Sequence, residues 1–155
     1  MKMDDPEKIR NLMKNAEGKA PEIVTACKRR LFQLSGRDYD DPIERRIWEA
    51  VAALEEILSA KNGRRQAAGY TRRKIRETGA IKTLSDWALS PKETEGFVAL
   101  INDGLAEFTG EFIIMEHPDR FDDAVLVAAR ERLERHGVSL PSPHPPKSHP
   151  SPVDK

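Results

Sequence analysis

The sequence predicts an all-α fold, a compact bundle of about seven to eight short helices, from three kinds of observation. Prolines preceded by capping side chains mark helix starts, glycines mark helix ends, and apolar residues between them recur at helical spacing. The chain has 155 residues, a length typical of one domain with one hydrophobic core. Each amphipathic helix has to bury its apolar face against a neighbour, and a bundle supplies that neighbour.

Helix starts are indicated by prolines in the first turn, where the missing N–H would have no acceptor within the helix. Segments 5–7, 41–44 and 90–93 each place a capping side chain before the proline, and the last two add a glutamate that completes a capping box. Segment 20–22 lacks the cap but keeps an acidic first turn, which the helix dipole favours. The predicted helices cover residues 6–17, 21–35, 42–62, 66–78, 80–89, 91–103, 109–117 and 122–136.

Helix ends are indicated by glycines, which adopt a left-handed C-terminal conformation at little cost. Residues 112–115 are ambiguous, because so short an apolar run does not reveal its period and could form a buried strand. Thr109 as a cap and Pro118 as a stop favour a helix there. The glycines predicted to end helices are Gly18, Gly36, Gly63, Gly79, Gly104 and Gly137.

The predicted organisation is a helical domain at residues 1–138 followed by a disordered proline-rich tail at residues 139–155. Of the 11 prolines, 6 crowd into residues 141–152, where proline, serine, histidine and lysine dominate and nothing can build a core. Segment 143–146 has the minimal spacing of a proline-rich docking motif. It lacks an arginine at the usual flanking position, so we interpret it as a linker or a frayed end.

Composition indicates no particular partner. Lys plus Arg and Asp plus Glu number 26 each, so any argument about charge depends on its distribution. The chain has a single cysteine, Cys27, so an internal disulfide framework is excluded. Cys27 lies on an apolar stripe and is predicted to be a core residue. Residues 1–17 contain no apolar run long enough for a signal peptide or a membrane span, so we expect a cytoplasmic protein.

The histidines and the acidic runs are predicted to be helix-terminal groups. His117 and His136 end helices, where a cation is favourable, and the runs 38–41 and 122–123 precede helices, where negative charge is favourable. A metal-dependent nuclease would need two or three carboxylates converging on one ion. The sequence indicates no such convergence, so we expect no catalytic residue, no metal site and no cofactor.

The basic segment, which we define as residues 61–82, has a charge pattern that predicts a function. Eight cations and one carboxylate, Glu77, give it a local charge of +7 in a chain of zero net charge. Binding to phosphates releases counterions, so such a segment favours contacts with the backbone of DNA or RNA. The predicted nucleic-acid-binding residues are Lys61, Arg64, Arg65, Tyr70, Arg72, Arg73, Lys74, Arg76 and Lys82.

The predicted helix 66–78 sets the geometry expected for these cations. At the α-helical period, Arg65, Arg72 and Arg76 would lie close to one face. The residues expected to face the body of the protein are Ala67, Ala68 and Ile75.

The main hypothesis is therefore a non-enzymatic helical module that binds nucleic acid. A first alternative is a protein-interaction or scaffold module, in which the basic helix meets an acidic partner and the tail acts as a tether. A second alternative is an accessory subunit of a nuclease or restriction-type system, with catalytic groups supplied by another chain. The cations could also be neutralised within the fold by acidic neighbours such as Glu55, Glu56 or the run 38–41.

Overall fold

The computed structural model describes residues 3–142, and every regular element in that range is helical. The all-α prediction is therefore confirmed. Residues 139–142 form no helix, and the rest of the predicted tail, residues 143–155, lies outside the described residues. The helices are α1 (Pro6–Ala16), α2 (Pro21–Gly36), α3 (Pro42–Asn62), α4 (Gly69–Thr78), α5 (Ala80–Leu89), α6 (Glu95–Asn102), α7 (Gly110–Glu116) and α8 (Asp123–Arg135), with 3₁₀ turns at Ala106–Phe108 and Pro118–Arg120.

Three helix starts follow the proline signals. The helices α1, α2 and α3 begin at the predicted prolines. The Asp5 carboxylate accepts a hydrogen bond from the N–H of Glu7. The Asp41 carboxylate accepts from the N–H groups of Ile43 and Glu44 at 3.1 and 3.0 Å. Helix α7 confirms the helical interpretation of residues 112–115, with Thr109 as its cap.

Two predicted starts are wrong because tertiary contacts displace them. Helix α6 begins at Glu95 rather than Pro91, with the Thr94 hydroxyl accepting from the N–H of Phe97. Arg132 of α8 donates to the carbonyl of Ser90 and so holds the link before α6 outside the helix. Helix α4 begins at Gly69 rather than residue 66, since the preceding N–H groups bond to side chains of α3.

Asp122 occupies the position before α8, as expected for a cap, but its side chain accepts no capping hydrogen bond from the residues that the structure describes. The predicted placement of the acidic run 122–123 at the start of this helix is confirmed, although the Asp122 side chain does not cap it by a hydrogen bond within residues 3–142. Five of the six predicted helix-ending glycines have the expected positive φ, and Gly36 is the exception. Gly36 is the last residue of α2 and lies against α3, where a Cβ atom would clash with the Arg45 carbonyl oxygen. Close approach of two helices, rather than backbone conformation, therefore explains this glycine.

Two buried clusters share helix α3. One lies between α3, α5, α7 and α8 and includes Val51, Leu84 and Ile113. The other lies between α1, α2, α3 and the turn at 106–108 and includes the fully buried Cys27, so its predicted core position is confirmed. No helix within residues 3–142 is both long and apolar enough to cross a membrane.

A largely buried polar network lies on α3. Arg46 donates to Glu49 and Glu116 at 2.7 and 2.9 Å, and its guanidinium lies 5.6 Å from the centre of the Phe108 ring. Arg46 also donates to the carbonyl of Glu107. Because Glu116 ends α7, the network ties α7 to the central helix.

We predict that Gly36→Ala lowers the free energy of unfolding by about 1–3 kcal/mol, since the added methyl group forces α2 away from α3. Urea denaturation measures this change. The matched control is Gly69→Ala, where nothing lies within 4 Å of the new Cβ. The control should be neutral or stabilise by about 0.4–1 kcal/mol. Equal effects of the two substitutions would contradict the proposed close packing.

Candidate nucleic-acid interface

The structure spreads the basic segment over four neighbouring stretches of chain. Lys61 lies in the last turn of α3, Arg64 and Arg65 lie in the link before α4, and Lys82 lies on α5. The remaining predicted residues lie on α4, which packs against α5. These elements divide the eight cations into a paired set and an unpaired set.

Arg72 is held by Glu55 of α3. Its Nε and one terminal nitrogen donate to the two carboxylate oxygens of Glu55 at 2.6 and 2.8 Å. The guanidinium also lies over the Trp48 ring, 5.5 Å from its centre. This confirms the alternative in which Glu55 neutralises part of the basic segment. Arg72 therefore joins α4 to α3, and its predicted role in nucleic-acid binding would require this pair to open.

Glu55 also accepts a hydrogen bond from the N–H of Ala68 at 2.8 Å. Burial by itself would raise the pKa of Glu55, but the hydrogen bonds from Arg72 and Ala68 outweigh it and hold the pKa below its usual value. The carboxylate is therefore charged at neutral pH, and it accepts hydrogen bonds from both the Ala68 N–H and the Arg72 guanidinium.

Three lysines are paired as well. Lys74 and Lys82 both contact the carboxylate of Asp86, at 2.7 and 2.9 Å, and these hydrogen bonds lower the pKa of Asp86. Lys61 contacts Glu95 at 3.0 Å. The side chains of Lys61 and Lys82 remain 59% and 63% exposed, so their ammonium groups stay at the surface.

Four arginines of the segment form no ion pair or hydrogen bond through their side chains within residues 3–142: Arg64, Arg65, Arg73 and Arg76. Arg64, Arg65, Arg73 and Arg76 are all exposed. Arg65 lies near enough to Glu55 for its charge to help lower the pKa of that carboxyl, without an ion pair. Tyr70 is also open, at 73% exposure.

The rotation of α4 explains which side chains are open. Ile75 is buried and Arg72 is half-buried, whereas Tyr70 and Arg73 are exposed about half a turn away from Ile75. Glu77 is exposed on the same side as Tyr70 and Arg73. The helix therefore presents an outer face of mixed charge in which arginine predominates.

Two details of the predicted geometry are wrong because α4 starts later than expected. Arg65 precedes the helix and does not share a helical face with Arg72 and Arg76. Ala67 is exposed in the link, whereas Ala68 and Ile75 are buried as predicted.

We define the open basic surface as Arg64, Arg65, Tyr70, Arg73 and Arg76. Guanidinium groups donate hydrogen bonds in a planar fork that matches phosphate oxygens, and an exposed tyrosine ring can stack on a nucleobase. The surface thus has the groups needed to bind a polyanionic strand. Within the part of the chain that the structure describes, no group of three His, Cys, Asp or Glu side chains is placed to hold a metal ion.

The predicted helix-terminal histidines both follow the last residue of a helix. His136 follows α8, and its Nε2 lies 2.9 Å from the carboxylate of Glu93. His117 follows α7 and is buried. Both positions agree with the predicted helix ends.

Apart from Glu55, sequence reasoning missed the partners of the cations. Lys82 and Asp86 are four residues apart on one helix, a spacing that could have indicated their pairing. Trp48 and Glu95 are distant in sequence from the cations they contact. Only the packing of α4 and α6 against α3 brings them within reach.

The chain matches no protein-family model, no curated protein and no solved structure.

We predict different stabilities for two adjacent arginine variants. Arg72→Ala should lower the free energy of unfolding by about 1–2 kcal/mol, because Glu55 loses a bidentate partner in a partly exposed site. Arg73→Ala should change it by less than about 0.5 kcal/mol, since this side chain contacts no acidic group within residues 3–142. Urea denaturation of both variants provides the comparison. A neutral Arg72→Ala variant would contradict the structural role of that pair.

Proposed function

We propose that this protein binds nucleic acid through the open basic surface, by contacts to the phosphate backbone and without catalysis. The observation that carries the proposal is the set of four exposed guanidinium groups that lack a carboxylate partner among the described residues. A phosphate can meet these groups without first breaking an ion pair. Arginine is well suited to this contact because it binds two phosphate oxygens at once.

The energetics of such binding come mainly from counterion release. Each neutralised phosphate releases condensed cations, so the affinity falls steeply as the salt concentration rises. Contacts to phosphates position a protein on a strand but carry no sequence information. The proposed binding is accordingly insensitive to sequence.

The exposed ring of Tyr70 favours a single-stranded nucleic acid as the ligand. The ring is 73% exposed and lies one helical turn from Arg73 on the outer face of α4. Unpaired bases can stack on such a ring while arginines hold the neighbouring phosphates, whereas bases in a duplex are already stacked on each other. We therefore propose single-stranded DNA or RNA as the main ligand.

The paired cations have a supporting role in this proposal. Arg72 and Lys74 hold α4 against α3 and α5. Lys61 and Lys82 are exposed and weakly held, so they can exchange their carboxylates for phosphates at the edge of the surface. The cytoplasmic location expected from the sequence stays a prediction.

An acidic protein partner is the second candidate ligand for the same surface. Glu77 lies among the open arginines, and a surface of mixed charge suits a protein better than a continuous track of cations would. Retention on an acidic protein, with no binding to oligonucleotides at low salt, would favour this candidate.

We predict that the double variant Arg73→Ala/Arg76→Ala binds a fluorescein-labelled single-stranded oligonucleotide at least about ten-fold more weakly than wild type. The slope of log affinity against log salt should also fall by about 1.4, since two phosphate contacts are lost. Fluorescence anisotropy over a series of salt concentrations measures both quantities.

The matched control is Lys8→Ala/Lys19→Ala, which removes the same charge from two exposed lysines near the N-terminus. The control should keep most of the affinity and of the salt slope. Equal losses of affinity in the two double variants would mean that binding depends only on the net charge of the protein. This result would contradict a localised binding surface. No binding by wild type at low salt would refute the proposed function.

We also predict that Tyr70→Ala weakens binding to the single strand by about 1–3 kcal/mol without changing the salt slope, because stacking involves no counterion. Tyr70→Phe keeps the ring and should bind as wild type does. Anisotropy measured with the single strand and with the matching duplex tests this difference. A similar loss for both nucleic acids would argue against base stacking.

A further inference from the structure

A cleft of about 170 Å³ opens between α3, α5, α6, α7 and α8, next to the inner side of α4. Buried cavities of about 150 Å³ accept a benzene ring, so this cleft is large enough for one six-membered ring with a small substituent. It reaches the surface beside Thr94, which is exposed, and Thr71 and Leu54, which are half-buried. A small molecule can therefore enter it without unfolding a helix.

The walls of the cleft are mainly apolar and aromatic. Trp87, Phe97 and Phe108 contribute rings, and Leu54 and Leu100 contribute aliphatic side chains. Such a lining favours a flat apolar body. Leu100 and Phe108 belong to one buried cluster, whereas Trp87 packs against the other, so the cleft lies where the two clusters meet.

The polar part of the wall is a buried ion pair. One terminal nitrogen of Arg132 donates to Glu111 at 2.7 Å, and the two side chains are only 7% and 6% exposed. The terminal nitrogens also donate to the carbonyls of Trp87 and Ser90. Since the two charges neutralise each other, the pair offers little attraction to a charged ligand.

One hydrogen-bond donor of this ion pair, the Nε–H of Arg132, is buried and has no partner among the described residues. A buried donor without a partner costs about 1–3 kcal/mol, so it is a strong place for an acceptor. Arg132 lines the cleft, and because its Nε is covered, an acceptor on a ligand reaches it only when the neighbouring side chains move aside.

We propose that the cleft binds one small, uncharged molecule that combines an aromatic ring with a hydrogen-bond acceptor, with the ring among Trp87, Phe97 and Phe108 and the acceptor at Nε of Arg132. The binding site is separate from the open basic surface, so it can succeed or fail independently of the proposed nucleic-acid binding. Because the ion pair has no net charge, the cleft favours an uncharged ligand over a carboxylate or an ammonium compound.

The test uses the full chain and two probe molecules, benzamide and benzene. Benzamide has a carbonyl acceptor, and benzene has none. Titrations followed by ¹H–¹⁵N NMR should show saturable shifts at the Trp87 indole N–H and at the Arg132 Nε–H with benzamide, at a dissociation constant on the order of 1 mM. Benzene should bind at least about ten-fold more weakly and leave the Arg132 Nε–H resonance in place.

Two variants make the result specific to the cleft. Leu54→Trp fills the cleft from its half-buried edge and should weaken benzamide binding at least about ten-fold. Val127→Trp adds the same side chain at an exposed position of α8 that does not line the cleft, and should bind as wild type does. The backbone amide spectrum of each variant establishes that it is folded.

Unsaturable shifts with benzamide, or equal binding by wild type and a folded Leu54→Trp variant, would overturn the proposal. Equal affinities for benzamide and benzene would overturn the role given to Arg132. Saturable benzamide binding that Leu54→Trp removes and Val127→Trp retains would support it.

Discussion

The carboxylate of Glu55 on α3 is the contact that ties the start of the basic helix to the central helix. It binds the N–H of Ala68 just before α4 and the guanidinium of Arg72 one turn later. In a capping box a glutamate of the same helix bonds the N–H that precedes it. Here a glutamate from another helix does so. These three hydrogen bonds at successive turns fit the observed start and rotation of α4, which bury Ile75 and expose Arg73.

Ion pairing within the fold divides the cations of the basic segment into those that contact a carboxylate and those that do not. The cations on the inner side and at the edges of α4 contact carboxylates of α3, α5 and α6, whereas those in the link and on the outer face contact none within the described range. Exposed pairs such as Lys61–Glu95 contribute little to stability and are screened by salt. Half of the cations of the segment therefore remain available to a polyanion, and the local charge counted along the sequence overstates the charge presented to a ligand.

Local signals predicted most of the fold, because capping and amphipathic periodicity act within a few residues. The starts of α1, α2 and α3 and the burial of Cys27 follow from such signals. Two errors had the same origin in contacts between distant residues. Arg132 binds the Ser90 carbonyl and the predicted capping box at Ser90 does not form, and Gly36 permits the close approach of α3 rather than a turn. The cleft lined by Arg132 and Glu111 also arises from the packing of helices distant in sequence, and no sequence pattern indicated it.

The sequence by itself determined that the chain is helical, where most helices begin and end, and that cations concentrate in residues 61–82. These properties depend on backbone capping and side-chain order along one stretch of chain. Only the tertiary structure decided which of those cations stay open, since the pairing of Arg72 with Glu55 joins residues 17 positions apart on two helices. Charge in a sequence is additive, but the charge available at a surface depends on which opposite charges the packing brings within hydrogen-bond distance.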